Sequence, residues 1–97
     1  MKLIEGGVYS SKKYESMCII YIEERTNVFV ACQMMRLKES QFSLNLIQKK
    51  LNNCYDQYFD NLSIITRKDE KELEDMVDGY IGKLDDELYQ KIKKRIL

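Results

Sequence analysis

The sequence predicts a small α+β domain, mainly β, in which a β-barrel or strongly bent sheet is closed by one or two C-terminal helices. Two dense β-branched runs in the first third of the chain are separated by a short polar segment, which is typical of a hairpin. The last third instead places apolar residues at spacings of three and four, as helices do. With 97 residues the chain has room for one domain, residues 1–97.

The first strands are marked by β-branched and apolar residues. Gly6-Gly7 gives the backbone the freedom to turn into a strand at residues 8–10. Residues 17–22 predict a second strand and residues 28–32 a third, and the polar residues 23–27 connect them. We therefore expect the second and third strands to form a hairpin.

The central segment, residues 41–58, fits two patterns. Apolar and polar residues alternate over residues 42–46, as in a half-buried strand, and the pair Asn52-Asn53 suits a turn. The segment also has a helical face, which consists of Leu44, Ile47, Leu51, Cys54, Tyr55 and Tyr58. We predict strand, turn and strand here, with a helix as the alternative.

The last part of the chain predicts two helices after a further strand at residues 62–66. The first helix begins at Asp69, whose carboxylate can accept hydrogen bonds from the free N–H groups of the first turn. Gly79 or Gly82 ends this helix, and its apolar stripe consists of Leu73, Met76, Val77 and Tyr80. Asp85 caps the final helix, which carries acidic residues first and basic residues last, as the helix dipole favours. The buried face of that helix consists of Leu88, Ile92 and Ile96.

The composition excludes several classes of chemistry. The chain contains no histidine, which excludes Ser-His-Asp and Cys-His catalytic pairs. Its three cysteines form no C-x-x-C pair and are too few for a four-thiolate zinc site, so we expect neither a metal ion nor another cofactor. Sixteen basic residues balance 16 acidic ones, which argues against a generic binder of polyanions.

Cysteine usage and hydropathy predict a cytoplasmic protein. Cys18 and Cys32 lie within apolar runs and are expected to be reduced core residues. No apolar run approaches the roughly 20 residues of a membrane-spanning helix, so we expect no membrane association. The N-terminal residues also lack the apolar core of a signal peptide.

Several stretches resemble the PemK/MazF family of toxin endoribonucleases. Residues 59–69 are similar to the family's last strand and its I-R-T-x-D-K turn, and residues 81–88, IGKLDDEL, to its I-G-x-L-[SD]-x-E helix opening. Residues 6–9, GGVY, are similar to its R-G-D-[IV]-[WY] start, and the hairpin at residues 17–34 occupies the position of its second and third strands. The resemblance implies an SH3-like β-barrel with a C-terminal helix.

The resemblance also implies a function. It points to a toxin of a toxin–antitoxin system, which either cleaves RNA without a metal ion or is a diverged relative that binds RNA. Such a protein would be a homodimer, would hold single-stranded RNA in a groove and would be inhibited by an antitoxin protein. The alternative is a non-catalytic protein-interaction or regulatory module on the same barrel, encoded by a phage or another mobile element.

Two positions depart from the family's pattern. The family's Arg-Pro pair corresponds to Glu15-Ser16, and its threonine at the end of the third strand corresponds to Met34 or Met35. RNA cleavage would therefore need another base and another cation. The candidate bases are Glu15, Glu23 and Glu24, and the candidate cations are Arg25, Arg36 and Arg67. The candidate RNA contacts are Thr66 and three tyrosines that can stack on unpaired bases, Tyr14, Tyr55 and Tyr58.

Overall fold

The computed structural model describes residues 2–12, 17–34, 43–58 and 63–96. These residues form β1 (Gly7–Ser11), β2 (Cys18–Arg25), β3 (Val28–Met34), α1 (Leu44–Tyr58), β4 (Ile64–Arg67), α2 (Glu70–Glu74), β5 (Val77–Lys83) and α3 (Asp86–Ile96). The α+β class is confirmed. Helices and strands contain comparable numbers of the described residues, so β structure does not predominate among them.

The five strands form one antiparallel sheet in the order β4-β3-β2-β1-β5. The first four strands are neighbours in chain order, and β5 returns to lie beside β1. The register shifts between Tyr21 and Glu23 in β2, and on both sides of Tyr9 in β1, and such bulges bend and twist a sheet. The described strands do not close this sheet into a barrel, because β4 and β5 remain its two edges.

The predicted hairpin is confirmed, but its turn is shorter than expected. Only Thr26 and Asn27 lie between β2 and β3, and both have positive φ angles, 44° and 65°. Two successive residues with positive φ are typical of the tight turns that connect hairpin strands. Residues 23–25, which were expected to lie in the turn, therefore belong to β2.

Each face of the sheet is covered by a different layer. Helices α1 and α3 cover the first face, called here the helical face, with a buried core of Val8, Cys18, Ile20, Ile22, Val30, Cys32, Met34, Ile47, Leu51, Tyr58, Leu84, Leu88, Tyr89 and Ile92. Helix α2 lies on the opposite face, where the core consists of Leu3, Tyr9, Ile19, Tyr21, Ala31, Ile65, Leu73 and Val77. Because successive side chains of a strand point to opposite faces of the sheet, the strands contribute to a hydrophobic core on each face.

Residues 44–58 form the helix α1, so the prediction of strand, turn and strand was wrong. Ile47 and Leu51 are completely buried against the helical face of the sheet, whereas the two asparagines that suggested a turn are exposed. The side-chain amide of Asn52 donates to the backbone carbonyl of Gln48, at 3.0 Å, within the helix. Burial of the apolar face outweighs the turn preference of the asparagine pair.

Helix α2 begins as predicted but ends early. Asp69 is its N-cap, and the carboxylate accepts a hydrogen bond from the backbone N–H of Lys71 at 2.9 Å. Leu73 is buried against the sheet, but the helix stops at its C-cap, Asp75. The predicted continuation of this helix to Gly79 or Gly82 was therefore wrong.

Strand β5 contains the residues that were expected to complete the helical stripe. Val77 lies opposite Ser11 of β1, and the Ser10 hydroxyl accepts a hydrogen bond from the Gly79 backbone N–H at 3.0 Å. At Gly82 the sheet contacts α1, because a Cβ there would lie only 2.8 Å from Cδ2 of Leu44. Pairing with β1 and close packing under α1 fix this segment as a strand.

Helix α3 is confirmed with its predicted charges. Asp86 and Glu87 lie in the first turn, and Lys93, Lys94 and Arg95 in the last. The buried Tyr89 ring packs beside Gly6, and its single hydroxyl proton is shared between Oε1 of Glu5, at 2.7 Å, and the backbone carbonyl of Ile22. This contact fixes the middle of α3 against β2 and the segment before β1.

Candidate nucleic-acid interface

One end of the sheet brings together residues that are distant in sequence. Arg25, at the end of β2, lies opposite Val28 of β3, and Arg67, at the end of β4, lies opposite Phe29 on the other side of the same strand. The last turns of α3 lie beside β2 here. This surface, called the basic end, consists of Arg25, Val28, Arg67, Lys68, Lys93 and Lys94.

An open groove of about 580 Å³ lies between β2 and α3, and its lining consists of Glu23, Arg25, Gln90, Lys93 and Lys94. In this α3 groove, Oε1 of Glu23 lies 3.1 Å from Nε of Arg25, and Oε2 lies 2.7 Å from Nζ of Lys93. Both carboxylate oxygens of Glu23 are therefore in ion pairs. Glu23 holds two cations in place and is not a free base.

Lys93 connects the α3 groove to the segment before β1. Its ammonium also lies 3.1 Å from Oε1 of Glu5. Hydrogen bonds to Glu23 and then to Glu5 raise the pKa of Lys93, so this cation stays charged at neutral pH. The pKa of Glu5 is lowered, mainly by the hydrogen bond from the Tyr89 hydroxyl and then by the hydrogen bond from Lys93.

A second groove, of about 250 Å³, lies at the junction of β3, β4 and α2, and its lining consists of Val28, Thr66, Arg67, Lys68 and Glu72. In this β4 groove, Nη1 of Arg67 donates to the backbone carbonyl of Thr66 at 2.8 Å, which folds the guanidinium along the edge strand. Thr66, Arg67 and Lys68 are exposed. The β4 groove thus offers two cations and a hydroxyl to solvent.

The two grooves concentrate positive charge on a chain whose formal net charge is zero. Their lining contains two acids, Glu23 and Glu72, and five cations, Arg25, Arg67, Lys68, Lys93 and Lys94, an excess of three positive charges. Exposed cations around an open groove attract phosphate groups. The chain therefore has a local basic surface although its net charge is zero.

The structure brings four of the ten candidate site residues to this surface. Glu23, Arg25, Thr66 and Arg67 line the two grooves. Tyr55 lies in α1, and its side chain is outside the described part of the chain. Three further candidates, Tyr14, Glu15 and Arg36, also lie outside the described residues.

Two alternatives from the sequence do not face the grooves. Tyr58 is buried in the core, and its hydroxyl lies 3.1 Å from Nζ of Lys50. Glu24 lies opposite Phe29, which packs on the face that α2 covers, whereas Glu23 faces α3. Tyr58 cannot stack on a base without leaving the core, and Glu24 cannot assist a reaction in the α3 groove.

Three of the five cations have no sequence pattern that marks them as site residues. Lys93 and Lys94 fit the dipole of α3, and Lys68 follows a predicted strand. No local pattern connects Arg25 with Lys94, because only the packing of α3 beside β2 brings them to one groove. The grouping of these cations therefore depends on the tertiary fold and not on any local sequence pattern.

The fold and the site define a small α+β protein with a basic surface at one end of an antiparallel sheet. The chain matches no family model, no curated protein and no solved structure. None of the described helices has the length and apolar character needed to cross a membrane. Within residues 2–12, 17–34, 43–58 and 63–96, no three His, Cys, Asp or Glu side chains are grouped as ligands for a metal ion.

Proposed function

We propose that the protein is a diverged relative of the PemK/MazF-like toxins that binds single-stranded RNA at its basic end. The observation that carries this proposal is the excess of three positive charges in the two open grooves. Phosphate contacts from Lys and Arg supply most of the sequence-independent affinity for nucleic acids. Positive charge concentrated in this way has no role in packing the core.

The fold supports the same proposal. The first strand lies between the second and the last, the bulges bend the sheet, and a helix follows β5. These features are compatible with an SH3-like barrel, into which we propose that the sheet closes. The motif IGKLDDEL, residues 81–88, which resembles a helix opening of the PemK/MazF family, spans the end of β5 and the first residues of α3, so only its residues 86–88 are helical, and β5 rather than the strand within residues 59–69 is the last described strand.

Single-stranded RNA fits the basic end because apolar surface lies between the cations. Val28 is half-buried and lines the β4 groove between Arg25 and Thr66 of the neighbouring strands. Unpaired bases can contact such side chains while the backbone follows the cations, whereas the bases of a duplex are stacked and paired.

The described residues support binding rather than cleavage. Attack by a 2′-hydroxyl needs a base close to the cation that stabilises the phosphate. In the α3 groove both oxygens of Glu23 are in ion pairs, and Lys93 is held in its charged form. We therefore expect a pool of RNA to remain intact with the protein in EDTA, and metal-independent cleavage would contradict this part of the proposal.

Fluorescence anisotropy with a labelled single-stranded RNA of about 12 nucleotides, within the usual site size of such proteins, tests the binding directly. We expect salt-dependent binding by the wild type and weaker binding by Arg25→Ala and Arg67→Ala. Each variant should make the negative slope of log K against log salt shallower by about 0.7, the value for one lost phosphate contact on a single strand.

Lys49→Ala is the matched control, because Lys49 is an exposed lysine of α1 that lines neither groove. This variant should bind the RNA as the wild type does. Equal losses for Lys49→Ala and Arg25→Ala would contradict the proposed site, and no binding by the wild type at low salt would contradict the function.

The resemblance extends the proposal to partners. We propose a homodimer that an antitoxin protein inhibits. Light scattering on the purified protein should then give twice the 11.6 kDa of the chain, and a monomer would contradict this arrangement.

A non-catalytic protein-interaction module is the second candidate, and an exposed apolar residue on an edge strand favours it. Ile64 of β4 is 44% exposed, and edge strands are common sites of strand addition by a partner. This alternative predicts that Ile64→Lys abolishes binding to a defined protein partner. Unchanged partner binding by Ile64→Lys would contradict it, and the first proposal expects no loss of RNA binding in this variant, because Ile64 lines neither groove.

A further inference from the structure

A smaller groove adjoins the α3 groove along α3. This groove, of about 160 Å³, is called the acidic groove, and its lining consists of Glu5, Lys83, Asp86, Tyr89 and Gln90. Gln90 also lines the α3 groove. Lys93 connects the two grooves as well, because its ammonium contacts Glu5 of the acidic groove and Glu23 of the α3 groove. The two grooves therefore form one continuous surface beside α3.

The two grooves differ in charge. The lining of the acidic groove contains two acids and one cation, whereas that of the α3 groove contains three cations and one acid. Hydrogen bonds from Tyr89 and then from Lys93 lower the pKa of Glu5, so its carboxylate is ionised at neutral pH. Among the described residues, both contacts of this carboxylate involve Oε1, which leaves Oε2 able to accept a hydrogen bond. One end of the surface attracts phosphates, and the other attracts hydrogen-bond donors.

Helix α3 arranges these groups along its axis. Asp86, Gln90 and Lys94 are exposed and four residues apart, and such residues lie on one side of a helix. A rise of about 1.5 Å per residue separates neighbouring members of this row by about 6 Å. One nucleotide can span this distance between its phosphate and its base. A phosphate at Lys94 and Arg25 therefore leaves the base beside Gln90 and Asp86.

We infer, on the basis of the proposed function, that this surface selects cytosine and adenine, whose bases carry an exocyclic amino group, over uracil. The amino group donates to the Asp86 carboxylate or to the amide oxygen of Gln90, while the phosphate contacts Arg25 and Lys94. Carboxylates accept hydrogen bonds from N4 of cytosine, and glutamine pairs with N6 and N7 of adenine. Uracil has the acceptor O4 in place of the amino group, and the carboxylates of the acidic groove repel it.

Two single-stranded homopolymers of equal length, oligocytidylate and oligouridylate of about 12 nucleotides, test this selection by fluorescence anisotropy at neutral pH. They carry the same number of phosphates and differ at the base edge, where cytosine has an amino group and uracil a carbonyl. We expect the wild type to bind oligocytidylate at least about fivefold more tightly, the lower end of what a good contact between a side chain and a base provides. The slopes of log K against log salt should be equal, because both ligands use the same phosphate contacts.

Two variants remove parts of the amino-group site without touching the core, since Gln90 and Asp86 are exposed. Gln90→Ala and Asp86→Asn should each reduce the preference for oligocytidylate by at least about twofold and leave the salt slope for oligouridylate unchanged. Gln57→Ala is the matched control, because Gln57 is an exposed glutamine of α1 that lines neither groove, and it should keep the full preference. Unchanged circular dichroism spectra and melting temperatures would show that each variant is folded.

The outcomes separate this inference from the function on which it rests. Equal affinity of the wild type for the two homopolymers, or tighter binding of oligouridylate, overturns the selection and leaves RNA binding intact. A preference for oligocytidylate that persists in full in both variants also overturns it, because the bases are then recognised elsewhere. A wild type that binds neither homopolymer at low salt overturns both the selection and the proposed function.

Discussion

Replacement of Tyr89 by phenylalanine tests how α3, which carries two cations of the basic end, is fixed to the sheet. The substitution removes only the hydroxyl, whose single proton is shared between Oε1 of Glu5, at 2.7 Å, and the carbonyl of Ile22 beside the bulge of β2. The ring, which packs beside Gly6, is retained, so Tyr89→Phe leaves no large cavity.

The expected loss of stability follows from these two contacts. A hydrogen bond to a charged group contributes about 1.5–3 kcal/mol, and one to a neutral carbonyl about 1 kcal/mol. The Glu5 side chain is 50% exposed, so solvent screening places its contribution below this range. Because the hydroxyl has one proton to donate, the two contributions do not add, and we expect Tyr89→Phe to lower the free energy of unfolding by about 1–2 kcal/mol, and the melting temperature by about 4–16 °C for a domain of this size.

Urea unfolding followed by circular dichroism measures this loss. Glu5→Gln and the double variant complete a mutant cycle, which isolates the coupling between the hydroxyl and the carboxylate. Tyr80→Phe is the control, because the Tyr80 side chain is 50% exposed and its change should cost less than about 0.5 kcal/mol. A Tyr89→Phe variant as stable as this control would refute the contact that fixes α3.

Two further predictions concern α1 and the buried tyrosines. Gly82→Ala should destabilise by about 1–3 kcal/mol in urea unfolding because its Cβ would meet Leu44, and Leu44→Ala should restore part of the loss; a neutral Gly82→Ala would contradict the packing of α1 on β5. Burial, the largest cause, raises the pKa of Tyr21 to about 12 and also raises that of Tyr89. Each tyrosine therefore makes its full contribution to the free energy of unfolding below a pH of about 10. Above that pH the free energy of unfolding falls by about 1.4 kcal/mol per pH unit for each tyrosine. Tyr89→Phe should have the shallower slope, and an unchanged slope would contradict this assignment.

Local patterns predicted the elements that depend on residues close in sequence. The hairpin follows from two β-branched runs and a polar turn, and α3 follows from a cap, an apolar face and charges ordered along the dipole. In both cases the interactions that form the element lie within the segment itself. The structure differs only in the position of the turn, at Thr26 and Asn27.

The prediction for α1 failed because two periodicities coexist in one segment. The alternation over residues 42–46 suggested a strand, yet Leu46 is 42% exposed and adds little to the core. The buried residues Ile47 and Leu51 follow the helical spacing instead. The segment becomes a helix because its helical face can pack on the apolar face of the sheet. That face is formed by strands outside the segment, so the local pattern does not reveal it.

The prediction for β5 failed for a related reason. Leu73 and Val77 are four residues apart and both buried on the same face, as in a helix, but the chain leaves the helix between them, at Asp75. Tyr80, the next residue of the supposed stripe, is half exposed. The decisive interaction is pairing with β1, which lies about 70 residues earlier in the chain.

The candidate site was predicted only in part because it is assembled by topology. Arg25, Thr66 and Arg67 were candidates in the sequence, but nothing there indicated that β3 separates them into two grooves. Lys94 joins the site only through the packing of α3. A composition with zero net charge gave no sign of this local excess.

Nuclear magnetic resonance of the isotope-labelled protein during titration with single-stranded RNA tests the central claim most directly. We expect the largest changes in backbone amide shifts at residues 25–28, 66–68 and 90–94, which lie in the β2–β3 hairpin, at the end of β4 and in α3. Shift changes confined to other surfaces, or none at low salt, would contradict it.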